Sequence, residues 1–162
     1  MGTKKRAAPP TALARAEHHG APVHLTKAQR GVLDDALREG EDLREEMQAA
    51  VLRYGRFLLE KVFGDDTTAA LDDKTKNPVW QELVERASGP TLGLSRRMLY
   101  VALKIAANDR RITERAWRAL DVARKELLLP LKTPPLLLEA AQRVSDMDMS
   151  QAKTKEYVTT LL

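Results

Sequence analysis

Gly89-Pro90-Thr91-Leu92-Gly93-Leu94-Ser95-Arg96-Arg97-Met98-Leu99-Tyr100-Val101-Ala102-Leu103-Lys104-Ile105-Ala106-Ala107 reads as a turn followed by an amphipathic helix. Gly89-Pro90 stops whatever helix precedes it, and Gly93 keeps the chain irregular for a few residues more. Ser95 then supplies a side-chain oxygen for the free N–H groups of a new helix. Met98, Val101, Ala102 and Ile105 follow at i, i+3, i+4 and i+7, which predicts a core-facing stripe. Arg96, Arg97, Tyr100 and Lys104 fall on the opposite side, with Leu99 and Leu103 flanking the two faces. Asn108-Asp109 predicts the end of this helix near Ala107.

Upstream, Asn77 is a good N-cap and Pro78 suits a first helical position. The helix they open, 78–88, turns Trp80, Leu83 and Ala87 to one side. Helix, glycine-containing turn, helix is the order of a helix-turn-helix, although the turn at 89–94 is longer than the compact three- or four-residue form. Downstream, Thr113 opens a helix through Trp117 and Leu120, and 121–129 continues or restarts it. Pro130 ends that stretch, Pro134-Pro135 initiate a helix to about Val144, and Ser150 caps a last one over 151–162.

A long helical segment at 26–63 precedes all of this. Thr26 can cap it, and Leu33, Leu37, Met47, Val51, Tyr54, Leu58 and Val62 recur at helical intervals as one apolar stripe. Gly40 leaves open whether it is one helix with a weak point or two. Between it and Asn77 lies a polar connector with a helical turn at 68–71. Its paired acids, Asp65-Asp66 and Asp72-Asp73, lack the spacing, central glycine and terminal acid of a calcium loop. The first 25 residues carry Pro9, Pro10, Gly20 and Pro22 and little apolar periodicity beyond a helical turn at 11–17. The expected fold is therefore all-α: a flexible basic arm at 1–25, a long helical segment at 26–63, a polar connector at 64–77, and a helix-turn-helix-containing helical domain at 78–162.

Composition narrows the function. The 162 residues include 43% hydrophobic but only 4% aromatic side chains, with leucine and alanine ahead of β-branched residues, a balance that favours helix. The absence of cysteine excludes disulfides and thiolate metal sites and suits a reducing compartment. His18, His19 and His24 lie in the arm rather than on a fixed frame, so no metal or cofactor is expected. No Ser-His-Asp order and no acid pair on an apolar helix face points to catalysis. No apolar run approaches the roughly 20 residues that span a bilayer, and none follows the basic start Lys4-Lys5-Arg6 as a signal peptide would require. A cytoplasmic, non-enzymatic protein without membrane contact is expected.

The charge is +4 overall but unevenly spread. Residues 31–60 hold four basic and eight acidic side chains, whereas 94–125 hold nine basic and three acidic. Basic density on a helical segment is the footprint of a polyanion partner. Arg96 and Arg97 open a helix whose N-terminal dipole is already positive, a placement that favours an arriving anion. Arg111, Arg115 and Arg118, at i, i+4 and i+7, predict a second strip for phosphate contacts.

Gly93-Leu94-Ser95-Arg96-Arg97, the run Leu127-Leu128-Leu129-Pro130-Leu131, the stretch Leu137-Leu138-Glu139-Ala140-Ala141-Gln142-Arg143-Val144, and Met149-Ser150 before a helix to Val158 together form a pattern. Over about 80–158 the chain resembles the central DNA-binding region of ParB-type partition proteins and the related plasmid repressor KorB. The resemblance implies double-stranded DNA as partner and a nucleoid-associated location. It also implies that Ser95, Arg96, Arg97, Tyr100 and Lys104 contact DNA, in a regulator or a DNA-segregation accessory. The arginine-rich nucleotide-binding motif of that family is missing, so nucleotide hydrolysis is not implied. A homodimer is expected, through the stripe at 33–62 or through Val158, Leu161 and Leu162, because such readers pair on half-sites. The competing reading is a helical protein-interaction module, with the acidic helix at 34–46 docking a basic partner.

Overall fold

The computed structural model describes residues 24–87, 89–90 and 92–162. The basic arm expected at 1–25, its helical turn and two of its histidines fall outside the described residues, apart from exposed His24 and half-buried Leu25. Among the described residues there are eight α-helices and no strand: α1 (Lys27–Phe63), α2 (Thr67–Leu71), α3 (Pro78–Ala87), α4 (Arg96–Arg111), α5 (Arg115–Arg118), α6 (Val122–Leu128), α7 (Pro134–Asp146) and α8 (Gln151–Leu161). The fold is all-α, as composition and periodicity imply.

The chain divides into two compact units, Met1–Arg38 and Glu39–Leu162. In the first, α1 opens on a reciprocal cap: Gln29 N–H donates to Thr26 Oγ1 at 3.2 Å, and Thr26 N–H to Gln29 Oε1 at 2.9 Å. Residues 26–38 are all exposed. Gly40 does not interrupt α1, which is a single helix of 37 residues. Strong helix formers flank the glycine on both sides and outweigh its local cost.

The second unit has two apolar clusters. Leu58, Leu59 and Phe63 of α1, Ala70 of α2, Trp80 and Ala87 of α3, and Leu99, Leu103, Ala106 and Ala107 of α4 form the first. The helical domain expected to begin at 78 thus shares its core with the end of α1 and with α2, inside the stretch expected to be a connector. Asn77 makes this junction: its Oδ1 accepts from Trp80 N–H at 3.0 Å and caps α3, while its Nδ2 donates to Val62 O of α1 at 2.9 Å. Gly55 lets α1 cross α4 closely, because a Cβ there would stand 2.2 Å from the carbonyl oxygen of Ala102.

The second cluster gathers Ile112, Trp117, Leu128, Leu131, Leu137, Ala140, Ala141, Val144, Met149 and Val158 from α5 to α8 and their connections. A buried polar clasp ties α4, α5 and α6 together. Asp109 accepts from Trp117 Nε1 at 2.7 Å and from Lys125 Nζ at 2.8 Å, and the Lys125 ammonium lies 5.2 Å from the Trp117 ring centroid. Lys125 is 5% exposed, so Asp109 and the indole face stand in for the water it has lost.

Three sequence expectations change in detail. The helix expected to end near Ala107 runs a further turn, because Asn108 Nδ2 donates to Lys104 O inside it and Ile112 is buried at its end. The helix expected from Thr113 through Leu120 is a four-residue turn, α5; Asp121 then accepts from Arg124 N–H at 2.7 Å and starts α6 afresh. Leu99 and Leu103, expected to flank two faces, are fully buried, whereas Met98 and Val101 are only half-buried. The reason is that α4 packs against α2 and α3 and also against α6. A helix enclosed on several sides has no single core stripe.

Candidate nucleic-acid interface

The first turn of α4 leaves its polar side chains accessible, as does its last. Ser95 caps it as expected, accepting from Met98 N–H at 3.1 Å. The eight residues joining α3 to α4 turn through Gly93 at φ +62°, and Leu94 N–H donates back to Ala87 O at 2.9 Å. These bonds tie the end of α3 to the start of α4. It is longer than the compact turn of a helix-turn-helix.

Arg96 and Arg97 are exposed in the first turn of α4. Each faces a carboxylate: Arg96 lies 3.6 Å from Glu85 of α3, and Arg97 Nε donates to Glu126 Oε1 of α6 at 2.8 Å. Tyr100, one turn on, is half-buried. Its ring meets Trp80 edge to face, with centroids 5.3 Å apart and planes at 89°. Tyr100 therefore belongs partly to the first core, which limits how far it can reach outward.

Lys104 is half-buried one turn further along. Lys74, in the turn between α2 and α3, joins it: its ammonium lies 5.8 Å from the Tyr100 ring centroid and donates to Leu71 O at 2.9 Å. Burial pushes the Lys74 pKa below the ordinary lysine value, the positive charge of Lys104 pushes it further, and Asp72 opposes the shift. Two lysines are thus held within each other's field. Neither forms an ion pair with a carboxylate among the described residues. On the same strip, Arg97, Tyr100 and Lys104 line one side of an open cleft of about 610 Å³, and Lys155 and Thr159 of α8 line another.

The other expected site residues lie elsewhere. Arg111 is in the last turn of α4, roughly 21 Å along the helix axis from Arg97 at 1.5 Å per residue. Arg115 and Arg118 are exposed on α5. The i, i+4, i+7 strip expected for these three does not form by helical spacing, because residues 112–114 between them are not helical. Ser95, Arg96, Arg97, Tyr100 and Lys104 thus share one end of α4, and Arg111, Arg115 and Arg118 belong to the other. Lys74 and Lys155 were missed by sequence reasoning. Nothing local marks a lysine in a polar loop or on a terminal helix as a neighbour of residues 97–104.

No group of histidine and acidic side chains among the described residues is arranged to hold a metal ion. No described helix is long and apolar enough to cross a membrane. Comparisons with protein-family models, curated proteins and solved structures find no match to this chain.

Proposed function

We propose that this chain binds double-stranded DNA through the N-terminal half of α4 and the lysines gathered beside it, as a regulator or DNA-segregation accessory of the kind its ParB- and KorB-like pattern suggests. The observation that carries the reading is the unneutralised pair Lys74 and Lys104, on the same strip as Arg97 and Tyr100. Like charges brought into each other's field with no direct ion pair, and only the weaker opposing field of Asp72 on Lys74, are unfavourable in isolation, and a phosphate relieves both at once. The dipole at the start of α4 adds to the same field.

The roles divide by reach. Arg96 and Arg97 project from the first turn, where bidentate contact with a guanine edge is geometrically open to them. Lys74, Lys104 and Lys155 supply phosphate contacts, which position the protein without reading sequence. Beyond its first turn α4 is buried or half-buried until its last two residues, so base reading is concentrated at that turn. Arg111, Arg115 and Arg118, beyond the other end of α4, would add contacts that are, on this view, sequence-independent.

Selection of bound sequences from random duplex DNA tests the reading. A recurring motif is expected for the wild-type chain. Arg97→Ala should relax preference at one or two positions, while Lys104→Ala should weaken all sequences alike. Unselected pools after several rounds, or identical behaviour of the two variants, would remove α4 from the reading role.

A second reading, a helical module that docks other proteins, is favoured by one observation. The groove between α1 and α4 is apolar and open, and it is lined by Met47, Val51, Tyr54, Phe57, Leu94 and Met98.

A further inference from the structure

That groove has an occupant written into the sequence of α1. Within the compact unit Glu39–Leu162, the positions Gly40, Leu43, Met47, Ala50, Tyr54 and Phe57 recur at alternating steps of three and four, the a and d spacing of a heptad repeat. In sequence the same register extends back through Ala36 to Leu33. All six seam residues are apolar or glycine, and none is buried. Leu43, Met47 and Phe57 are 56%, 58% and 54% exposed, unusual for large apolar side chains spaced along one helix face. Tyr54 and Phe57 stack on each other, with planes at 8°, and together with Met47, Leu94 and Met98 they line the groove of about 600 Å³.

Gly40 sharpens the point. A Cβ there would meet nothing within 4 Å, so the packing of a single chain does not call for glycine, which weakens the helix relative to alanine. On a seam between two helices the missing side chain permits closer approach. At the start of the seam one pair of edge positions is charged so as to complement itself. Glu39 takes a g position and Arg44 the e position five residues on, the two that face each other across a parallel pair of helices. Neither has a salt-bridge partner among the described residues.

We infer that the occupant is a second copy of this chain: α1 pairs with α1 in parallel and in register along 40–57, and Leu94 and Met98 of α4 flank the seam. The inference stands apart from DNA binding and is tested without DNA. The full chain should sediment at twice 18.1 kDa at micromolar concentration and dissociate on dilution. Met47→Glu should leave it a folded monomer, with helix content and melting cooperativity retained, since Met47 touches solvent rather than core. Glu39→Lys should weaken the dimer at least several-fold, and adding Arg44→Glu should restore it. Because the chain has no cysteine, Leu43→Cys is a clean reporter. In a parallel register it should form a covalent dimer under oxidised glutathione, whereas Glu45→Cys, on the outer face, should not. A chain that remains monomeric at hundreds of micromolar overturns the inference. So does a dimer indifferent to Met47→Glu, a dimer in which Leu43→Cys fails to link, or a monomer that captures a different protein on this face.

Discussion

Arg97 is held by Glu126 before any ligand arrives, and Arg96 lies near Glu85. Both pairs are exposed, where such contacts are worth roughly 0–1 kcal/mol, so DNA can displace them at small cost. Glu126→Gln should therefore tighten DNA binding, by about two- to five-fold at low salt on that scale. Fluorescence anisotropy with a labelled duplex would show it, and weaker binding by the variant would mean that Glu126 orients Arg97 rather than restraining it.

Lys74 gives the site a pH dependence. Its folded pKa is lowered, by burial first and then by Lys104, so the charged form is disfavoured in the folded protein. At neutral pH that costs stability, and the cost is relieved as pH rises through the lowered folded value toward the unfolded one. A bound phosphate acts in the opposite direction and favours the ammonium. DNA affinity should accordingly fall as pH rises through a range below the ordinary lysine pKa, with proton uptake on binding. Lys74→Arg, which stays charged, should remove that limb of the profile; titrations at several alkaline pH values would decide it.

The clasp of Asp109, Trp117 and Lys125 is a test of packing rather than of binding. Asp109→Ala leaves the Lys125 ammonium buried without its carboxylate and should cost about 2–3 kcal/mol. Lys125→Met on that background should recover much of the loss, because it removes the stranded charge. A double-mutant cycle in urea measures both, and additive losses would contradict the clasp.

At the scale of elements, the crossing of α1 over α4 turns on Gly55. In an isolated helix Gly55→Ala would add stability, yet here the methyl group would strike the backbone of Ala102. Overpacking of that kind costs roughly 1–3 kcal/mol, for a melting point lower by a few degrees. Differential scanning calorimetry should register that loss, and a rise in melting point would show that the crossing can relax.

What was legible in the sequence at this scale was local. Asn77, Ser95 and Ser150 each mark a helix start through hydrogen bonds within three residues, and each does so here, whereas the sequence leaves the restart at Asp121 open. The buried side of α4 was only partly legible, since periodicity assumes one buried side and α4 has several. Gly55 was not legible either, because a close approach is defined by a residue 47 positions away. The end of α4 was misplaced for a related reason: Asn108 normally signals a stop, but a side-chain bond to the preceding turn and burial of Ile112 carry the helix past it.

For the whole molecule, the compact unit Glu39–Leu162 is built around α4, whose first turn bears the exposed arginines. Lys74 arrives from the turn between α2 and α3, and Lys155 from α8, so the basic strip exists only once both clusters have folded. The strip at 97–104 could be named from the amphipathic pattern; its lysine neighbours required the tertiary structure. The most direct test of DNA as its ligand is the salt dependence of duplex binding. Phosphate contacts from Lys74, Lys104 and Lys155 predict a log–log slope of about −3, and Lys104→Ala should make it shallower by about one. A slope near zero, or no binding at low salt, would contradict the account.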